Sequence, residues 1–295
     1  MNEKREMKSV EIVSRAYNLC VNNWSSILKV ALIFIIPASI ISIIFSNIFI
    51  NKGLEELLYN EFLIMDSSYY TGLSYYSEEE YIFRLLYEVL KLSLFASIVS
   101  IIMSIFIWFG GLVISKILGD ANQNKEVNWI EAIKYIWSKK WGLIGLNLLT
   151  NVAIALIYVV VLVAIVVTGI ITLGIALIMT IPSLIVIMFV LMPIMNYLNS
   201  MYIINNVKIG EAIGKVLSLF KGRYFGQTVA VSSTISAIML AIGLASGIFA
   251  LIPIVGYAST IVLQVIAIVF TYACSIVFIF DRTKSFDEGT FLGDN

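Results

Sequence analysis

The stretch Lys208–Gly226, KIGEAIGKVLSLFKGRYFG, decides the reading of this chain. Ile209, Ile213, Val216, Phe220 and Tyr224 fall at helical spacing, and lysines take much of the remaining surface, so the stretch predicts an amphipathic helix. It runs directly into a long apolar segment. Two further stretches have the same form. SVEIVSRAYNLCVNNW carries Glu11 and NWIEAIKYIWSKKW carries Glu131, in register with Glu211 of the first. Each glutamate is followed by a small aliphatic pair (Ile12-Val13, Ala132-Ile133, Ala212-Ile213) and by a basic residue one turn on (Arg15, Lys134, Lys215). That spacing supports a helix by about 0.2–0.5 kcal/mol. Each stretch closes on a polar or basic pair and an aromatic: Asn22-Asn23-Trp24, Lys139-Lys140-Trp141 and Gly222-Arg223-Tyr224.

The apolar faces of the other two copies are Val10, Val13, Tyr17, Cys20 and Trp24, and Ile130, Ile133, Trp137 and Trp141. Helices of this kind lie in a membrane interface with the apolar face toward the acyl chains and the cations among the headgroups. Arg15, Lys134, Lys139, Lys140, Lys215, Lys221 and Arg223 are the candidate contacts to lipid headgroups or to a partner subunit. Asn128 with Glu131 reads as a capping box.

Composition sets the class. Of 295 residues 60% are hydrophobic and 13% charged, against about 25% charged in soluble domains. The apolar residues sit in blocks of about the 20 residues that cross a bilayer. The expected architecture is all-α, a single transmembrane domain over 1–295 with spans at 27–50, 89–115, 142–167, 173–198, 227–251 and 255–280. The spans form three hairpins, each preceded by one amphipathic helix. Pro37 should kink the first span; Pro182 and Pro193 interrupt the fourth. A turn is expected near Thr168–Thr172, and a short polar tail from Asp281. Gly243 and Gly247, with Ala237, Ala241 and Ala245, mark a helix-packing face. Ser93, Ser97, Ser100 and Ser104 line one stripe of the second span. Ser97, Ser104, Asn151 and Gln264 are the polar positions expected in the interior, through packing or a hydrophilic path.

The large loop 51–88 is acidic and tyrosine-rich. Sixteen of the nineteen basic residues, with eleven acids, lie on the side of the amphipathic helices; three, with eight acids, lie on the side of this loop. The positive-inside rule then puts both termini and the amphipathic helices in the cytoplasm, and the chain in the cell membrane as a multi-pass protein.

Other classes lose ground on residue types. There is no histidine, the commonest general base and metal ligand. Cys20 and Cys274 lack metal-site spacing and read as small buried hydrophobes. HExxH, GxSxG and Walker motifs are missing, and no acid lies clearly inside a span. Zero net charge disfavours a nucleic-acid partner. No catalytic, cofactor-binding or metal-binding residue is assigned, and the chain is expected to be no enzyme.

The unit Gly210-Glu211-Ala212-Ile213 through Phe220-Lys221-Gly222-Arg223-Tyr224, followed by a hairpin, resembles the membrane domain fused to some glycerophosphodiester phosphodiesterases and related stand-alone six-helix bacterial families of unknown function. The fused phosphodiesterase barrel and its catalytic His and Glu residues have no counterpart here. The resemblance therefore implies a membrane module without the hydrolase activity. Membrane lipids, and a separate protein subunit, are the expected partners. A lipid-interacting or scaffolding module is the first reading; a transporter or permease subunit for a small or amphiphilic solute, working with a separate partner, is the alternative.

Overall fold

The computed structural model describes residues 7–45, 55, 59, 78–172, 193–221, 225–250, 252 and 255–287. The described chain is all-helical: α1 (Ser9–Asn22), α2 (Trp24–Val30), a π turn (Ala31–Ile35), α3 (Ile36–Phe45), α4 (Glu78–Asn122), α5 (Trp129–Ser138), α6 (Lys140–Ile171), α7 (Ile194–Asn205), α8 (Ile209–Ser218), α9 (Phe225–Ala250) and α10 (Val255–Asp287). Most of the expected fourth span 173–198, most of the acidic loop 51–88, Pro182 and Arg223 lie outside the described residues.

The glutamates of the repeat all stand at the third position of a helix: Glu11 in α1, Glu131 in α5 and Glu211 in α8. A carboxylate there faces the unpaired N–H groups and the positive end of the helix dipole. Glu11 Oε2 accepts from the Lys8 N–H at 2.8 Å. Asn128 Oδ1 accepts from the N–H of Ile130 at 3.0 Å and of Glu131 at 3.4 Å. Glu211 pairs with Lys215 at 2.9 Å. The recurrence of this residue type is thus explained by helix initiation.

Where α1 meets α2 and α5 meets α6, a single residue leaves the helical region: Asn23 (φ −112°, ψ 14°) and Lys139 (φ −100°, ψ 6°). Each amphipathic helix is thereby set off from the long helix that follows it.

Five described helices are long and apolar enough to cross a membrane: Trp24–Phe45, Leu86–Asn122, Lys140–Thr168, Phe225–Phe249 and Val255–Thr283. Five of the six expected spans overlap them. The π turn ends two residues ahead of Pro37, whose missing N–H breaks the regular ladder; the wider turn is how the helix adjusts to it. The helix α6 continues to Ile171, through most of the turn expected near Thr168–Thr172, and Thr172 stands in a turn at its end. Thr168 and Thr172 donate back to the carbonyls of Ala164 and Thr168 at 2.7 and 2.6 Å and so remain compatible with helix. Likewise α10 runs on to Asp287, through the region read as a polar tail.

The chain contains two compact units, one of residues 32–110 and one of residues 1–31 with 111–295. In the smaller unit α3 and α4 meet through aromatic pairs, Phe34 with Phe109 (centroids 5.2 Å apart) and Phe45 with Phe95 (5.3 Å). Gly110 is required there, since a Cβ would sit 2.9 Å from Phe34 Cβ. In the larger unit α10 is the central helix and packs against α9, α1 and α7; α6 and α8 pack on α7, and α5 on α2. Its core includes Tyr197 and Phe278, whose rings lie 5.1 Å apart.

Candidate functional site

The amphipathic helices use two adjacent stripes. The residues one and five places after each glutamate are buried in all three: Ile12 and Ala16, Ala132 and Ile136, Ala212 and Val216. This stripe packs into protein. The neighbouring stripe stays open and apolar: Val10 is 78% exposed, Tyr17 61%, Trp137 59% and Trp141 76%. Trp24 and Ile130 belong to it as well. The expected apolar face is therefore split. In the first two copies its largest members remain outside, while the packed stripe is carried by aliphatic residues one and five places after the glutamate; in the third copy Val216 is buried and Ile209, Ile213 and Phe220 are half-buried.

At the end of α1 the helix meets the end of α4. Arg15 donates from Nη2 to Asn122 Oδ1 at 3.0 Å. α4 stops in a Schellman motif, with Asn124 in the left-handed region (φ 56°). Its N–H bonds Ala121 O at 3.0 Å, and the next N–H, of Lys125, bonds Asp120 O at 3.0 Å. Asparagine tolerates this backbone better than most residues. The motif fixes the position from which the Lys125 side chain starts. Between the two helix ends lies an open recess of about 430 Å³, lined by Arg15, Asn18, Asn22, Asn122, Asn124 and Lys125 among others. Its lining holds two cations, several amides and no acid.

The end of α5 meets the end of α7 differently. α7 also stops at an asparagine with positive φ, Asn206 (φ 51°). Here aromatic rings fill the corner. The Tyr135 hydroxyl donates to Ile203 O at 2.9 Å. Lys116 Nζ lies 4.6 Å over the Tyr135 ring and pairs with Asp120 at 2.7 Å. Lys139 Nζ donates to Asn206 Oδ1 and stands over the rings of Tyr135 (5.3 Å) and Tyr202 (5.1 Å). Burial, and then the charge of Lys116, lower the Lys139 pKa. Burial, and then Asp120 and Tyr202, raise that of Tyr135. A Cβ on Gly142 would overlap the Tyr202 hydroxyl, so glycine there lets the ring close in.

The other predicted cations are spread out. Lys134 and Lys221 are exposed, and Lys215 is held by Glu211. Lys140 Nζ lies 4.0 Å over the Trp137 ring and 5.9 Å from that of Trp141, so a cation flanks the open apolar stripe.

The polar residues expected in the interior are placed otherwise. Ser97, Ser104 and Asn151 are exposed and Gln264 is half-buried. Ser97 satisfies its hydroxyl on Ser93 O at 2.8 Å, and Asn151 donates to Asn147 at 3.3 Å. A serine stripe reports one helix face, and nothing in its spacing says which way that face turns. Other polar residues are buried instead. Ser115 and Ser200 hydroxyls are 3.3 Å apart, those of Tyr197 and Ser232 3.1 Å apart, and Thr228 donates to Leu219 O at 2.6 Å. Asn199 is fully buried next to Tyr272. Arg282 is 1% exposed, 3.8 Å from Asp281 and 5.5 Å over the Phe278 ring, while Asp281 also accepts from the Met7 N–H at 3.2 Å. The grouping of Tyr197, Asn199 and Ser200 within four positions, a short way beyond Pro193, was the available signal.

Among the described residues no group of three or more His, Cys, Asp or Glu could hold a metal ion. Comparison with protein-family models, with curated proteins and with solved structures finds no match.

Proposed function

We propose that this chain is a multi-pass integral membrane protein that acts as a non-enzymatic, lipid-interacting module, with both termini and the three amphipathic helices at the cytoplasmic face. The observation that carries the reading is the split stripe: on α1 and α5 an apolar row is packed into protein, while Val10 and Tyr17 on α1, Ile130 and Trp137 on α5, and Trp24 and Trp141 at the starts of α2 and α6 are left outside. Lys140 against the two indoles supplies the interfacial pairing of an aromatic with a cation. Anionic lipid of the inner leaflet would attract such lysines by about 1 kcal/mol each. The resemblance to the membrane domain of glycerophosphodiester phosphodiesterases agrees with a module of this kind.

The test is native mass spectrometry of the protein extracted gently from its own membrane. Retained anionic phospholipid, reduced in Lys140→Gln, is the expected result. Bare protein that also joins anionic and zwitterionic nanodiscs equally would overturn the reading. The buried hydroxyls of Ser115, Ser200, Tyr197 and Ser232 with Asn199 favour the second reading, a permease subunit for a small or amphiphilic solute. A co-purifying ATP-binding subunit would select it.

A further inference from the structure

We propose that the recess between the ends of α1 and α4 is a binding site for a phosphate-bearing anion, the headgroup of a phospholipid being the source that fits it best. The inference deepens the lipid-interacting reading and rests on it. The recess of about 430 Å³ falls within the range of small-molecule sites. It carries Arg15 and Lys125, with the amides of Asn18, Asn22, Asn122 and Asn124, and no acid among its lining residues.

Charge decides the sign of the ligand. The C-terminal ends of α1 and α4 each contribute about half a negative charge. The two full positive charges outweigh them. Asn23, moreover, caps Leu19 O through Nδ2 at 2.9 Å, and the Schellman motif occupies the carbonyls of Asp120 and Ala121 near the end of α4, which takes those acceptors from a cation. Arg15 uses one N–H on Asn122 and keeps the rest of its fork, which suits bidentate contact with phosphate oxygens. That bond also holds the guanidinium at the rim before a ligand arrives.

The surroundings select a lipid. Arg15, Asn18 and Asn22 share one face of α1, and Tyr17, Val21 and Trp24 are exposed beside it. An anionic head in the recess would place its apolar body along that open stripe.

The experiment measures binding to the full-length protein in neutral detergent by calorimetry, with three probes: a short-chain phosphatidylglycerol, a short-chain phosphatidylcholine and inorganic phosphate. Saturable binding of phosphatidylglycerol is expected, weakened roughly tenfold by Arg15→Gln and again by Lys125→Gln, as loss of a charge-assisted contact implies. Lys208→Gln, at the start of α8 and not among the residues lining the recess, should leave it unchanged. Equal binding of inorganic phosphate would support the anion site with a free phosphate as its source; preference for phosphatidylglycerol supports the lipid. Binding that is unaffected by both recess variants, in protein with an unchanged melting temperature, overturns the recess while leaving the lipid-interacting reading intact. Failure of every probe, with no lipid retained in mass spectrometry, removes both.

Discussion

Two corners of the larger unit are built from the same parts and end in opposite ways. At the α1–α4 corner and at the α5–α7 corner, an amphipathic helix with a glutamate in its first turn meets a helix that stops at a left-handed asparagine. Four residues after the glutamate stand Arg15 in one corner and Tyr135 in the other, and both reach the end of the facing helix, through Asn122 and Ile203 respectively. Tyr135 is joined by Tyr202, Lys116 and Lys139 and the space is filled. Arg15 is joined by asparagines and Lys125 and a recess remains. The repeated backbone device is thus a clamp, and side chains decide whether rings and lysines stack in its corner or an open recess is left there.

The largest effect should come from the packed stripe that both corners share. Ile136 is fully buried, so Ile136→Ala should cost about 2–5 kcal/mol. Asn18→Ala in the recess should stay within about 0.5 kcal/mol. Thermal unfolding in detergent compares them; a similar loss at both positions would mean the recess is packed core. Next comes the glycine that admits Tyr202. Gly142→Ala should destabilise by about 1–3 kcal/mol, because the ring must leave Lys139. Gly145→Ala, whose Cβ would lie 4.0 Å from Ile209 Cδ1, should instead stabilise α6 by about 0.5–1 kcal/mol. Equal signs would refute the closed corner.

Loss of the α5 cap by Asn128→Ala should cost about 1 kcal/mol and appear as faster amide exchange in the first turn of α5. Cys20, on the packed stripe of α1, has its thiol pushed up to about 12 by burial. It should resist maleimide at pH 8 in folded protein and react once unfolded. The smallest effect is electrostatic. Lys139 should lose its proton below the usual lysine value, and Lys116→Met should move it back up, as NMR of methylated lysines would show. Between that lowered value and 10.5 the unfolded chain binds more protons, so Lys139 makes stability rise with pH. Tyr135, raised above 10.0, makes stability fall as pH passes that point.

Part of the closed corner was legible in the sequence, since Glu131, its capping Asn128 and Lys139 are local signals; Tyr135, Tyr202, Lys116 and Asn206, which meet Lys139 there, carried none. The open corner was legible only in part. Arg15 stood out by its place after Glu11, but Lys125 belongs to a Schellman turn whose residue in the left-handed region is Asn124, where glycine would have announced it. The approach of Gly142 to Tyr202 and of Gly111 to the buried Tyr272 joins residues remote in sequence, beyond the reach of periodicity. The serine stripe misled for a related reason: Ser97 and Ser104 share a face, yet which face meets protein is set by the neighbours. Arg282 looked like the start of a polar tail because a charge after an apolar run usually marks the water boundary; α10 instead carries it into the core beside Asp281 and Phe278.

The central claim is that the open stripe of an amphipathic helix meets lipid while its polar side meets water. Spin labels placed singly at Trp137→Cys and Lys134→Cys, with Cys20 and Cys274 replaced by alanine, test it in bilayers of the protein. Oxygen collisions should dominate at position 137 and a water-soluble nickel chelate at position 134. The same water-like accessibility at both positions would contradict the account.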